Sequence, residues 1–84
     1  MIVTYDDTVD CLYASVSGEV IHTYAVTSGD RCQVNVDVDR NGNAIGVEVT
    51  GVPKIAAEWW MLPGRSSIPP QFFSAIGEWI NRRA

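Results

Sequence analysis

Two runs with a strict period of two constrain the fold of this chain most. Between Gln33 and Val38 a valine alternates with a polar residue, and the stretch from Ile45 to Thr50 repeats the alternation. Such a period places apolar side chains on one face of a β-strand. The segment between the runs, Asp39–Asn43, is rich in residues that accept turn conformations. The pattern predicts a β-hairpin.

The register of this hairpin follows from the two apolar rows. Pairing Val38 with Ile45 and Val36 with Val47 keeps both rows on one side of the sheet. A slip of one residue would move one row into water. The other side is then polar and solvent-facing, and it carries Gln33, Asn35, Glu48 and Thr50.

Three shorter runs before the hairpin also have strand composition. They cover residues 1–5, 11–17 and 20–26, and Ser17–Glu19 is short enough to join the last two as a hairpin. The group Thr27–Asp30 ends the third run. We therefore expect about five strands in the first fifty residues.

The periodicity changes after Pro53. Ile55, Trp59 and Leu62 have helical spacing, which favours a helix over Lys54–Leu62, although a further short strand through Trp59–Leu62 is an alternative. A second helix is predicted from Pro69-Pro70 to about Arg82. Its apolar stripe consists of Phe72, Phe73, Ile76, Trp79 and Ile80.

Runs of strands followed by helices predict an α+β fold. We expect an antiparallel meander of about five strands with the C-terminal amphipathic helix packed on one face. A chain of 84 residues has room for one domain, residues 1–84, with a β-meander over 2–50 and a helical, aromatic extension over 53–84.

Composition narrows the function classes. The formal net charge of −4 argues against binding a nucleic-acid backbone, and the basic cluster Arg82-Arg83 stands alone. No apolar run is long enough to predict a membrane-spanning helix, and the acidic start resembles no secretory signal. Two cysteines, Cys11 and Cys32, are too few for a disulfide scaffold and predict thiols in a cytoplasmic protein.

One motif has the spacing of a calcium-binding loop. Asp37, Asp39, Asn41 and Gly42, followed by Glu48, satisfy the EF-hand expression. An EF-hand loop joins two helices, whereas this loop joins two predicted strands, and the predicted register sets Glu48 opposite Asn35. We interpret the motif as a turn and expect no metal or other cofactor.

Other reactive side chains have no catalytic spacing. Asp6, Asp7 and Asp10 flank a predicted turn, and solvated turn residues are the favoured interpretation. The nucleophile candidates and the lone histidine fit no known catalytic signature: Cys11, Ser15, Ser17 and His22. A chain this short has little material to enclose a water-excluding pocket. We expect no enzymatic activity and no catalytic residue.

The aromatic content of the C-terminal part points to binding. Trp59 and Trp60 are adjacent, and neighbouring side chains point in different directions on a helix or a strand. One indole is therefore predicted to stay exposed in a monomer. The predicted partner-binding residues are Trp59, Trp60, Met61 and Arg65. A protein partner and self-association, most simply a homodimer, are equally compatible with this pattern.

The N-terminal half resembles a family of small bacterial and phage proteins, domain-of-unknown-function family 2283. Four short motifs carry the resemblance, in order over residues 2–50: Tyr5-Asp6, Asp10-Cys11-Leu12-Tyr13, Asp37-Val38-Asp39-Arg40-Asn41-Gly42 and Gly46-Val47-Glu48-Val49. Cys11 replaces the usual small alanine, and the C-terminal extension from Pro53 has no counterpart. From the residues we expect a non-catalytic protein-binding module, and the resemblance implies an antitoxin-like protein or a phage-encoded modulator of a host protein. The alternative is a small calcium-binding or nucleic-acid-binding domain.

Overall fold

A computed structural model describes residues 1–26 and 32–83. The group Thr27–Asp30, which was predicted to end the third strand, lies outside the described residues. The sheet contains five strands, β1 (Ile2–Asp6), β2 (Cys11–Ser15), β3 (His22–Ala25), β4 (Gln33–Val38) and β5 (Ala44–Thr50). Three helical segments follow, α1 (Ala56–Trp60), a single 3₁₀ turn (Arg65–Ser67) and α2 (Pro70–Arg83).

The α+β class, the five antiparallel strands and the C-terminal helix are confirmed, but the sheet is not a meander. The strand order is β1-β2-β5-β4-β3, so β5 lies between β2 and β4. The predicted hairpin from β2 into β3 is therefore wrong: β3 pairs only with β4 within the described chain. The valine-rich strands β4 and β5 occupy central positions, where both neighbours contribute to burial.

The segment between β2 and β3 crosses the ends of two strands instead of turning back. The Val16 N–H donates to the Ile45 carbonyl at 2.9 Å, and the Ile21 N–H donates to the Val38 carbonyl at 2.9 Å. These bonds satisfy backbone groups that a simple hairpin would have paired between its own strands.

The predicted β4–β5 hairpin is confirmed, with one change of register. Val36 pairs with Val47, and Asn35 pairs with Glu48, as predicted. Val38, however, pairs with Ala44, and the register shifts between Asp37 and Val38. The predicted Val38–Ile45 pair is wrong because a β-bulge leaves Ile45 as the extra residue next to the loop.

The register divides the sheet into two faces, which we call the covered face and the open face. On the covered face, Leu12, Val34, Val36, Val47 and Val49 are fully buried. The helical segments pack against this face and contribute the remainder of the core, Trp59, Leu62, Ile68, Phe72, Phe73, Ile76 and Ile80. The open face carries the polar residues of the same strands, and these are exposed or half-buried. Gly46, which also lies on this face, is buried.

The helices differ in detail from their predicted bounds. A helix forms in the 54–62 segment, but it is five residues long and begins after Pro53 and Ile55. Ile55 has an extended backbone and is 52% exposed, so it lies outside the helix to which Trp59 belongs. Trp79 lies at the rim of the core, with its ring centroid 4.9 Å from that of Tyr5 on the edge strand β1.

Candidate functional site

Trp59 belongs to the interior and not to the surface. It is fully buried, its indole N–H donates to the Phe73 carbonyl at 2.9 Å, and its ring stacks on Phe73 with centroids 5.0 Å apart. A buried indole N–H needs such a partner. Trp59 therefore locks α1 onto α2, and its side chain does not contact solvent.

Trp60 is the exposed member of the pair, as one of the two was predicted to be. Its side chain is 38% exposed and meets Phe73 edge-on, with centroids 5.1 Å apart. Gly77 on α2 makes room for the indole, because a Cβ at that position would lie 2.6 Å from the Trp60 ring and 3.1 Å from Trp59. One side of the ring is thus fixed by packing, and the other side faces solvent.

Met61 and Arg65 extend this exposed area. Met61 is 81% exposed. The Arg65 guanidinium lies 4.8 Å from the Phe73 ring centroid and donates to the Trp60 carbonyl. We call Trp60, Met61 and Arg65 the Trp60 surface. Beside it lies a shallow groove of about 300 Å³, lined by Arg65, Ser66, Ile68, Pro70 and Phe73.

The open face of the sheet holds a hydrogen-bonded network. The Tyr13 hydroxyl donates to Asp37 Oδ2 at 2.6 Å, and the Thr23 hydroxyl donates to Asp37 Oδ1 at 2.6 Å. The Tyr13 ring lies across Gly46, where a Cβ would come 2.1 Å from the phenolic oxygen. The network joins β2, β4 and β3 through one carboxylate.

The reactive groups on this face are held in unreactive forms. Partial burial and the Asp37 carboxylate raise the pKa of Tyr13 to about 12. Burial and the neighbouring Glu48 carboxylate raise the pKa of Cys11. A thiol with a raised pKa is a poor nucleophile at neutral pH, and a phenol with a pKa near 12 stays protonated there.

The residues of the EF-hand-like motif do not converge. Asp39 Oδ1 accepts the N–H groups of Asn41 and Asn43, each at 2.9 Å, and so closes the β4–β5 loop. Asp37 is engaged on the open face, and Glu48 lies opposite Asn35 in the ladder. Among the residues described, no group of three or more His, Cys, Asp or Glu side chains is placed to hold a metal ion.

The acidic residues near the first turn have structural partners. Asp6 Oδ1 accepts from the N–H and hydroxyl of Thr8, and these bonds lower the pKa of Asp6. Asp10 has a left-handed backbone, with φ of 51°, and its carboxylate accepts from the Tyr5 hydroxyl at 2.7 Å and the Val52 N–H at 3.2 Å. Asp10 thus ties the first turn to the exit of β5.

Arg83, near the end of α2, also has partners within the chain. The Arg83 guanidinium lies over the Tyr5 ring at 4.5 Å and near the Trp79 ring at 5.2 Å. This cation is committed to an intramolecular aromatic contact.

In the described residues, every helix is too short or too polar to cross a lipid bilayer.

Of the predicted partner-binding residues, the structure brings Trp60, Met61 and Arg65 together at the surface and places Trp59 beneath them. Sequence reasoning missed Gly77 and the partnership of Arg65 with Phe73. A glycine inside a predicted helix is a usable signal, since it usually has a packing reason there. Nothing in the sequence indicates which of two adjacent tryptophans faces inward.

A family model described as a protein of unknown function (DUF2283) matches residues 2–52, more than half of the chain. The match covers all five strands and ends before α1. No match was found among curated proteins or among solved structures.

Proposed function

Because the chain belongs to the DUF2283 family, whose function is unknown, we propose its role from its own surface: a non-catalytic protein-binding module that binds its partner through the Trp60 surface. A single observation carries the proposal. A tryptophan held rigidly by Phe73 and Gly77 stays 38% exposed next to a methionine that is 81% exposed.

The residue types support a protein partner in particular. Tryptophan, methionine and arginine are enriched in the buried centres of protein interfaces. Arg65 lies against Phe73, and Trp60 is anchored by its inner edge, so binding would immobilise few side chains. Preorganised anchors of this kind reduce the entropy that association costs.

The absence of a catalytic role is part of the proposal. The Cys11 thiol on the open face has a raised pKa, and the Tyr13 phenol has a pKa of about 12. Asp6, Asp10 and Asp37 each accept hydrogen bonds from neighbouring side chains. These features support binding over catalysis, because a nucleophile or general base needs a pKa tuned toward neutrality.

We propose a reducing, cytoplasmic setting, because two cysteines in 84 residues are too few for a disulfide scaffold. We propose the partner class from what the resemblance implies. It is a small toxin-like protein or a host protein, and a second copy of the chain is the simplest alternative.

The test uses a charged substitution that costs no packing. Met61→Glu places a carboxylate on the Trp60 surface, and Ile2→Glu is the matched control because Ile2 is 68% exposed on the open face of the sheet. Immobilised protein should capture a specific partner, identified by mass spectrometry and then purified for titration. We expect Met61→Glu to weaken that interaction at least about tenfold.

Circular dichroism melts accompany each variant, so that loss of binding is not confused with loss of fold. Trp60→Ala should weaken the interaction more than Met61→Glu, since tryptophan is the larger anchor. Equal affinities for the parent, Met61→Glu and Trp60→Ala, all folded, would refute the Trp60 surface as the binding site.

A further inference from the structure

The edge strand β3 presents an unpaired backbone to solvent. All four of its residues are exposed, and within residues 1–26 and 32–83 it pairs on one side only, with β4. It contains no proline and no charged residue, the devices that commonly protect an edge from pairing. At the opposite edge of the sheet, by contrast, Arg83 and Trp79 lie over Tyr5 of β1.

The hydrogen-bond alternation shows which backbone groups point outward. The Val26 N–H donates to the Val34 carbonyl at 2.8 Å, so this is a hydrogen-bonded pair of the β3–β4 ladder. Pairs alternate along antiparallel strands, and Tyr24–Val36 is therefore the next bonded pair. The N–H and C=O groups of Thr23 and Ala25 point away from β4.

These outward groups are self-complementary. When two β3 strands are antiparallel with Tyr24 on a two-fold axis, Thr23 of each copy lies opposite Ala25 of the other. Each Thr23–Ala25 pair then exchanges two backbone hydrogen bonds. The two Tyr24 side chains meet across the axis as a non-hydrogen-bonded pair, the arrangement in which side chains are closest.

Electrostatics allow a second copy at this edge. The chain has a formal net charge of −4, so two copies repel in general, but β3 brings no acidic side chain to the axis. A four-residue strand gives marginal pairing alone, so we expect association at high protein concentration.

The edge is continuous with the Trp60 surface. The Tyr24 hydroxyl lies 3.5 Å from the Ser67 carbonyl, at the end of the 3₁₀ turn that begins with Arg65. A copy aligned on β3 therefore meets the helical layer at this turn as well as the sheet. Two layers in contact give a larger interface than a strand ladder alone.

We propose that a second copy of this chain adds to the sheet at β3, through backbone pairing of Thr23 with Ala25 about a Tyr24 two-fold axis. The two five-stranded sheets become one continuous sheet. The inference rests on the proposed function only in taking a second copy as a binding partner, and it assigns the dimer axis to a separate element of the fold.

Amide hydrogen exchange measured by NMR at roughly 1 mM protein tests the pairing, with sedimentation giving the association state. In the dimer, the outward amides of Thr23 and Ala25 become protected. The Tyr24 amide bonds to β4 in monomer and dimer alike and serves as the internal reference. We expect protection at all three positions at high concentration, and loss at Thr23 and Ala25 alone on dilution.

Two substitutions at one position provide the control. Ala25→Pro removes an outward N–H, and Ala25→Lys places a charge beside the axis in each copy while retaining the N–H. Both should weaken dimerisation at least about tenfold, whereas Ala25→Val should not. If Ala25→Pro does not fold, Ala25→Lys decides. Fast exchange at Thr23 and Ala25 in the parent, or unchanged dimerisation in both variants, would overturn the proposal.

Met61→Glu separates this proposal from the proposed function. A dimer that survives Ala25→Lys but dissociates in Met61→Glu overturns the β3 axis and supports the Trp60 surface. The reverse result supports the β3 axis and leaves the Trp60 surface without a role in self-association. A monomer at high concentration overturns the β3 axis, and partner capture then tests the Trp60 surface independently.

Discussion

The covered and open faces belong to the same five strands but are stabilised differently. On the covered face, Leu12, Val34, Val36, Val47 and Val49 have no exposed surface and depend on packing with the helices. On the open face, the best-defined contacts are hydrogen bonds to carboxylates, as in Tyr13–Asp37–Thr23. Apolar packing involves no titrating group, whereas hydrogen-bonded carboxylates respond to pH.

The largest expected effect is on the covered side. Ile76 of α2 is fully buried, so Ile76→Ala should lower the free energy of unfolding by about 2–5 kcal/mol, through lost burial and the cavity left behind. Urea denaturation followed by circular dichroism measures this change.

Gln33→Ala is the matched change on the open face, where Gln33 is exposed on a central strand. It should alter stability by less than about 0.5 kcal/mol. If Ile76→Ala also costs less than about 1 kcal/mol, then α2 does not hold the covered face as described.

The open-face network should have an intermediate effect. Tyr13→Phe removes the 2.6 Å hydrogen bond to Asp37 and leaves the ring over Gly46. We expect a loss of roughly 0.5–1.5 kcal/mol in the free energy of unfolding, the usual worth of one hydrogen bond. Thr23→Val, which removes the other donor to Asp37, should show coupling with Tyr13→Phe in a double-mutant cycle. Strictly additive effects would show that the two donors act independently.

The raised pKa of Tyr13 predicts a loss of stability at high pH. Its pKa is raised to about 12 in the folded chain, so its contribution to stability is complete below the ordinary tyrosine pKa of about 10 and is lost as pH rises toward 12. An absorbance titration of phenolate formation should contain a late step that disappears in Tyr13→Phe. A parent titration without that late step would contradict the network.

The smallest effect is expected at the first turn. Thr8 lowers the pKa of Asp6, so this group stabilises the fold above the ordinary carboxyl pKa and loses that contribution as pH falls below it. Thr8→Val should therefore reduce the difference in melting temperature between about pH 5 and about pH 2.5. An unchanged difference would indicate that the turn contributes nothing to acid sensitivity.

The sequence predicted the parts of the fold that a short-range pattern determines. The alternation in β4 and β5 identified both strands, the loop and most of the register, and the apolar stripe identified α2. The bulge at Ile45 escaped prediction because it depends on how the loop closes. The strand order escaped prediction because Ser17-Gly18-Glu19 has turn composition whether the chain turns back or crosses over.

The candidate site could likewise be predicted only in part. Adjacency alone required Trp59 and Trp60 to face different ways, but their assignment depends on Gly77 and Phe73, which contact them only after the chain folds. Two other contacts could not be predicted for the same reason. Asp10 accepts from Val52, and Arg83 lies over Tyr5, and each of these partners is distant in the sequence.

The crossed strand order has a consequence for how the protein is made. When β1 and β2 leave the ribosome, the central partner of β2 is still missing, because β5 is synthesised last of the strands. A two-stranded hairpin is marginally stable, so the N-terminal part must wait for about thirty further residues before its inner edge is paired. A meander could assemble strand by strand during translation, whereas this sheet completes in one late step. Nascent-chain force profiling would then register a single folding event, after β5 has emerged.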